Sequence, residues 1–430
     1  MLLKVRKSVT QGAVSVPGSK SHTIRALFIA SLAGGLSTIR NPLLSGDAFS
    51  GLEICKSFGA RFETTEDSFI VNGFGSSPAV PENIVDVGNS GTSLRFAMMT
   101  AGLVDGITVF TGDEQIRRRP LGSLISAMNQ LGGQVYSTRG NDMAPVVVKG
   151  RLGGGRARLD AVTSQYLSSI LINAPLLDSD TEITVTRLNE IPYVEMTMWW
   201  LNNQGIEYSN DSFKTIYIKG GQRYKPFDIN IPGDFSSATF FMVLASISGG
   251  EFLLKNLDMT DPQGDKRVLD YLKEMGASVR HTGDGIVIKG NGLRGIEIDM
   301  NSTPDALPAM AVAGCFAEGE TRLVNVPQAR LKETDRISMM CSELKKMGAD
   351  IEELPDGLVI RKSTMKGCTV SGHNDHRIVM ALAVAGMNIE GETLIETAEA
   401  MNVTFPAFPQ LVKECGGDIA IITEESEGGR

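Results

Sequence analysis

Six times along the chain a short strand-like run gives way to a polar turn and then to a stretch that is apolar at nearly every position. The runs are Val14-Ser15-Val16 into Pro17-Gly18-Ser19-Lys20, Ile84-Val85-Asp86-Val87 into Gly88-Asn89-Ser90-Gly91-Thr92, and Leu159-Asp160-Ala161 into Val162-Thr163-Ser164-Gln165. Three more follow at Ile229-Asn230-Ile231 into Pro232-Gly233-Asp234, Ile296-Glu297-Ile298 into Asp299-Met300-Asn301, and Val370-Ser371 into Gly372-His373-Asn374-Asp375. The pattern predicts strand, tight turn and helix. Helices such as 309–316 and 378–385 lack a polar face and must be covered on all sides.

Each unit carries a second, amphipathic helix that ends in a similar phrase: Phe58-Gly59, Leu131-Gly132, Gln204-Gly205, Met275-Gly276, Met347-Gly348 and Cys415-Gly416. Glycine there suits a left-handed helix cap. A strand links the two helices, and a strand, a turn and a strand follow the second. The unit is therefore β-α-β-α-β-β, repeating every roughly 70 residues. Such a chain is α/β: two domains of three repeats, each with buried parallel helices. The sixth repeat stops one strand short, whereas Leu2–Val5 is an orphan strand, so the N-terminal strand is expected to complete the second domain. The expected division is 13–225 for the first domain and 1–12 plus 226–430 for the second, with residues 424–430 frayed.

Parallel buried helices gather their N-terminal turns at one end of each domain, and two such ends facing each other make a cleft suited to anions. The alternative is that the turns only cap helices. Composition narrows the partners. A net charge of −9 over 430 residues argues against nucleic acid or an anionic membrane as the main partner. The five cysteines have no metal-ligand spacing and read as reduced thiols, no metal site is visible, and nothing resembles a signal peptide or a membrane span, so a cytoplasmic location is expected.

The turns are unusually charged for the openings of buried helices. They carry Lys20-Ser21-His22 with Arg25, Arg117-Arg118-Arg119-Pro120, Lys332-Glu333-Thr334-Asp335-Arg336 and Asn374-Asp375-His376-Arg377. Singly, each has a bland reading as a solvated face, a surface ion pair or a satisfied cap. Recurring at equivalent places, they predict a small polyanionic ligand, with Asp305, Glu333 and Asp375 as candidates for proton transfer.

These residues resemble the motif set of the enolpyruvyl transferase family, specifically EPSP synthase (3-phosphoshikimate 1-carboxyvinyltransferase). The matching stretches are Gly18-Ser19-Lys20-Ser21 with Arg25, Gly88-Asn89-Ser90-Gly91-Thr92 with Arg95, Arg119-Pro120, Ser164-Gln165, Gly233-Asp234-Phe235-Ser236-Ser237-Ala238, Pro304-Asp305, Lys332-Glu333-Thr334-Asp335-Arg336 and Asn374-Asp375-His376-Arg377. The resemblance runs end to end. It implies two inside-out α/β domains with the active site in the cleft between them, and transfer of the enolpyruvyl group of phosphoenolpyruvate to the 5-hydroxyl of shikimate 3-phosphate, with no metal or organic cofactor. It also implies roles. Lys20, Gly91, Arg119 and Gln165 hold the phosphate of phosphoenolpyruvate, and Arg336 and Arg377 its carboxylate. Lys20, Ser21, Arg25, Thr163, Ser164, Gln165, Tyr193, Asp305, Gln328 and Lys332 bind shikimate 3-phosphate. Asp305 is the general base and Glu333 the acid, assisted by Lys20 and His376. Gly91 is what glyphosate-sensitive members carry.

Three positions depart from the family pattern: Val403 stands for a usual Lys, Glu190 for a Ser beside the shikimate phosphate, and Ile24 for an Asn. They predict weaker substrate binding rather than another reaction. Two enzyme-level alternatives are a UDP-N-acetylglucosamine enolpyruvyl transferase, disfavoured because no Cys lies in the few residues before Arg119-Pro120, and an RNA-processing relative, disfavoured by the acidity. A non-catalytic anion-binding repeat protein has no need of Lys20, Asp305, Glu333 and Arg336 together. A monomer suits an enzyme whose site lies between its own domains.

Overall fold

The computed structural model describes residues 1–422; residues 423–430, and with them the stretch 424–430 expected to fray, lie outside the described residues. The chain forms two compact units, one of Met1–Ser19 with Pro232 onward and one of Lys20–Ile231. The described residues form six four-stranded sheets, three in each unit.

In the Lys20–Ile231 unit the inner helices Lys20–Leu32, Gly91–Ala101 and Ser164–Asn173 pack on one another beneath the sheets, buried along nearly their whole length. Residues 24–30, 94–99 and 166–172 of these helices supply much of one continuous apolar core. In the other unit Phe235–Ser248, Leu307–Phe316 and His376–Gly386 do the same. Burying an apolar side chain contributes about 1.5–3 kcal/mol, so helices apolar all round are stable only inside. The six glycines that end the outer helices all have positive φ, between 69° and 113°. A residue with a Cβ would be strained there.

Leu2–Arg6 lies antiparallel between Glu392–Glu396 and Asp418–Ile422. That is the position the last strand of the repeat fills elsewhere, as Gly357–Arg361 does between Glu320–Val324 and Asp350–Leu354.

The first strands of repeats one and four are exchanged, which differs from the sequence expectation. Gly12–Ser15 pairs in parallel with Glu251–Lys255 of repeat four, and Asp228–Asn230 pairs in parallel with Gly34–Arg40 of repeat one. The chain thus crosses at Ser19/Lys20 and Ile231/Pro232, later than the expected 12/13 and 225/226. Both segments alternate in the same way and both end in Pro-Gly, so the pattern alone cannot assign each to its sheet. Partners decide the register: Arg40 donates to Asp228 at 2.8 and 2.7 Å on one sheet. The two Pro-Gly segments run side by side, the Ser19 N–H donating to Pro232 O and the Asp234 N–H to Pro17 O, both at 2.8 Å.

Among the described residues no helix is long and apolar enough to cross a membrane, and no three His, Cys, Asp or Glu side chains are grouped to hold a metal ion. Cys55, Cys315, Cys341 and Cys415 are buried thiols and Cys368 is half-buried.

Candidate active site

In the unit containing repeats four to six, the helix-opening turns meet around Arg336. This residue begins the outer helix Arg336–Lys346, whose N-cap Asp335 accepts the Ser338 N–H at 3.0 Å and pairs with Arg330 at 2.6 Å. The Arg336 guanidinium is 1% exposed and reaches three carboxylates: Nε donates to Asp375 Oδ2 at 2.8 Å, Nη1 to Asp305 Oδ1 at 2.8 Å and Nη2 to Glu333 Oε2 at 2.5 Å. Arg377 Nη2 donates to the other oxygen of Asp305 at 3.0 Å, and Lys332 Nζ lies 3.7 Å from Oδ1. Thus Asp305, Glu333, Lys332, Arg336 and Arg377 form one cluster.

Electrostatics divide the carboxylates. Burial by itself would raise the pKa of Asp305, but Arg377, Lys332 and Arg336 outweigh it and hold the carboxyl well below the usual carboxylate range. Burial likewise opposes the charge on Arg336, and Asp375, Glu333 and Asp305 overcome it, so the guanidinium stays protonated. Asp375 is fully buried; besides Arg336 it accepts the Arg377 N–H at 2.9 Å, capping the helix His376–Gly386. It thus anchors the Arg336 guanidinium and the Arg377 backbone. His376 is the first residue of that helix and is buried. Gln328 is buried with Nε2 donating to Asn301 O at 3.0 Å.

One buried acid here was missed in the sequence. Asp265, in the turn Gly264–Arg267, accepts a hydrogen bond from the Ser236 hydroxyl in the first turn of Phe235–Ser248. Burial, with Asp305 nearby, pushes its carboxyl up to about 7. Only the acidic residue in Pro262-Gln263-Gly264-Asp265 marked it beforehand.

In the Lys20–Ile231 unit the predicted residues again sit at inner-helix openings. Lys20 Nζ pairs with Asp47 Oδ2 at 3.0 Å. Asp47 lies in the first turn of the outer helix Gly46–Ser57 and was not singled out, its signal being no more than an acid after Ser45-Gly46. Gly91 is the first residue of its helix; a Cβ on it would strike the Arg119 guanidinium and fall 2.6 Å from Arg95 Nη1. Arg95 Nη1 donates to Gly91 O at 2.9 Å, so two guanidiniums converge on this bare backbone.

Arg25 is held from several sides within the unit. Its guanidinium is buried and donates to Thr197 Oγ1, Ser21 O and Tyr193 O, each at 2.9 Å, while lying 5.6 Å from the Phe96 ring centroid. Burial pushes its pKa down to about 10. It ties the Ser21 carbonyl to the Tyr193 carbonyl within the protein.

Thr163 and Ser164 open the helix Ser164–Asn173, and a carboxylate already stands there. Glu190, 1% exposed and at φ 60°, accepts the Ser164 N–H at 3.0 Å, the Ser164 hydroxyl at 2.7 Å and the Thr163 hydroxyl at 3.1 Å. The Gln165 N–H reaches Thr163 Oγ1 at 3.5 Å. Ile24 is fully buried core, and Val403 is a half-buried residue ending the turn Ala398–Val403.

The chain is 65% identical to the 3-phosphoshikimate 1-carboxyvinyltransferase of Ruminiclostridium cellulolyticum, over 98% of this chain and 100% of that protein. The protein of the same name from Acetivibrio thermocellus is also 65% identical, over 98% of this chain and 99% of its own. A solved structure of EPSP synthase from Acinetobacter baumannii superposes with a TM-score of 0.82 at 27% identity, covering 98% of this chain and 100% of that one. Residues 5–411 match the family described as EPSP synthase (3-phosphoshikimate 1-carboxyvinyltransferase), and the chain belongs to that family.

Proposed function

We propose that the protein transfers the enolpyruvyl group of phosphoenolpyruvate to the 5-hydroxyl of shikimate 3-phosphate, releasing phosphate, as a step in making chorismate and the aromatic amino acids. The observation that carries this reading is the buried cluster in which Arg336 and Arg377 are held by Asp305 and Glu333. Two guanidiniums at the openings of adjacent helices suit one carboxylate of a small anion.

The cluster also suggests how the acid and base are released. Asp305 is a poor base while Arg377, Lys332 and Arg336 hold its charge. A substrate carboxylate arriving at Arg336 and Arg377 competes with Asp305 and Glu333 for the same N–H groups. Asp305 then regains basicity towards the 5-hydroxyl, and Glu333 becomes able to carry a proton to the methylene carbon. In the addition step the 5-oxygen bonds to C2 of phosphoenolpyruvate as C3 gains a proton. In the elimination step phosphate leaves C2 and C3 loses a proton. Each positioned proton transfer contributes roughly 10²–10⁴-fold.

In this reading Lys20, Gly91, Arg119 and Gln165 bind the phosphate of phosphoenolpyruvate, with Lys20 and His376 assisting proton transfer. Ser21, Arg25, Thr163, Ser164, Tyr193, Gln328 and Lys332 serve shikimate 3-phosphate, together with Lys20, Gln165 and Asp305. Side chains supply all the charges the reaction needs, so the reading calls for no metal or organic cofactor. The protein acts as a cytoplasmic monomer.

The test is phosphate release from phosphoenolpyruvate by purified protein, with shikimate 3-phosphate, with UDP-N-acetylglucosamine, and with neither. Release that requires shikimate 3-phosphate is expected. Release only with the sugar nucleotide, or none with either acceptor, overturns the reading.

A further inference from the structure

The outer helix Arg336–Lys346 grips the turn before His376–Gly386 at two places. At its first residue Arg336 binds Asp375. Two turns later Glu343, fully buried, spreads its carboxylate over three groups. Oε2 accepts the Ser371 N–H at 3.0 Å and lies 2.8 Å from Lys346 Nζ; Oε1 lies 2.9 Å from Lys346 Nζ and 2.7 Å from His373 Nε2. Burial opposes this charge, but the hydrogen bonds from Lys346, Ser371 and His373 prevail and lower the pKa.

Between the two grips the backbone is contorted. His373 and Asn374 are consecutive residues in the left-handed region, at φ 52° and 56°, where a residue with a Cβ is uncommon. Local ties help: the His373 N–H donates to Ser371 Oγ at 3.2 Å, the Asn374 N–H to Thr397 Oγ1 at 3.0 Å and the Asp375 N–H to Gly372 O at 2.8 Å. This turn leads directly into Asp375, His376 and Arg377.

We infer that Glu343 and His373 are positioning residues: the buried carboxylate clasps the imidazole and the Ser371 N–H, holds the left-handed turn, and so fixes where Asp375 and Arg377 stand. The role deepens the proposed function, since it matters to catalysis only if Arg336 and Arg377 take the carboxylate of phosphoenolpyruvate. Neither residue belongs to the set proposed to touch substrate.

The experiment compares wild type, Glu343→Gln, His373→Ala and the double variant Glu343→Gln/His373→Gly. Both single variants are expected to raise KM for phosphoenolpyruvate, Glu343→Gln by about tenfold, because a displaced arginine loses substrate binding. The kcat and the KM for shikimate 3-phosphate stay within about twofold. Glycine adopts φ 52° without the clasp, so the double variant recovers most of the loss. His373→Ala leaves Glu343 with Lys346 and Ser371, which keeps the test available if Glu343→Gln fails to fold. Amide hydrogen exchange over residues 372–377 is the readout independent of activity, and both single variants should exchange there about tenfold faster than wild type. An unchanged KM for phosphoenolpyruvate in an active protein overturns the inference, as does a joint loss of kcat, both KM values and Tm without glycine rescue. If wild type shows no turnover, the functional reading falls and the exchange rates decide: unchanged rates at 372–377 overturn the positioning role.

Discussion

Glu190 Oε2 stands 2.7 Å from the hydroxyl of Ser164, and the same atom accepts the Ser164 N–H at 3.0 Å. A helix N-terminus that could receive a substrate phosphate is thus already occupied by a carboxylate of the chain. The residue type alone predicted weaker binding; the geometry makes Glu190 a competitor for the same donors. Replacing it by Ser is expected to lower KM for shikimate 3-phosphate by about tenfold, the scale of one charge-assisted hydrogen bond. Lost capping lowers stability by about 1 kcal/mol in the same variant. Steady-state kinetics with calorimetric Tm checks both, and a KM that stays constant or rises would show that Glu190 does not compete.

Much of this arrangement was legible in the residues, for physical reasons that differ by level. Helices with no polar face must be buried, so 378–385 announced an inside helix whatever surrounded it. The orphan strand Leu2–Val5 and the short sixth repeat matched each other by counting strands. The exchange of Gly12–Ser15 and Asp228–Asn230 was not legible, because two segments with the same alternation and the same Pro-Gly ending fit either sheet. Within the site, charges at helix openings were visible, but their partners were not. Asp47, Asp265 and Glu343 are ordinary acids in sequence and acquire meaning from burial and long-range contacts.

Val403 is half-buried at the end of the turn Ala398–Val403, at the position where the family resemblance implies a Lys. Restoring a cation with Val403→Lys is expected to lower KM for phosphoenolpyruvate by about tenfold at low salt, and by less at high salt. Titration of initial rates at two ionic strengths decides it. An unchanged KM at both means the cation has no role at the substrate phosphate.

A side chain at Gly91 would have to displace two guanidiniums, a reason for the bare glycine that is visible without any inhibitor. A Cβ there strikes the Arg119 guanidinium and comes within 2.6 Å of Arg95 Nη1. Gly91→Ala should push these side chains aside, raising KM for phosphoenolpyruvate by about tenfold, while binding of a longer anion such as glyphosate falls further. Inhibition constants and KM measured on the same preparation test the two effects together. Loss of inhibitor binding with KM untouched would mean that Arg119 absorbs the methyl group without cost.

Asp265 offers a test in stability rather than rate. Its carboxyl is raised from the ordinary 3.8 to about 7 by burial and by Asp305, with Asp234 adding to the effect and Arg377 opposing it. The folded state therefore holds this proton more tightly than the unfolded chain does. Its stabilising contribution is complete below about pH 4 and is lost as pH rises through about 7. Asn at this position cannot ionise and still accepts from the Ser236 hydroxyl. Asp265→Asn is accordingly expected to match wild type near pH 4 and to gain on it between pH 4 and 7, by roughly 2 to 4 kcal/mol at the plateau. Urea unfolding of both proteins across that range measures the difference. A gap that is constant with pH, or one that closes as pH rises, would show that Asp265 does not carry its proton in the folded state.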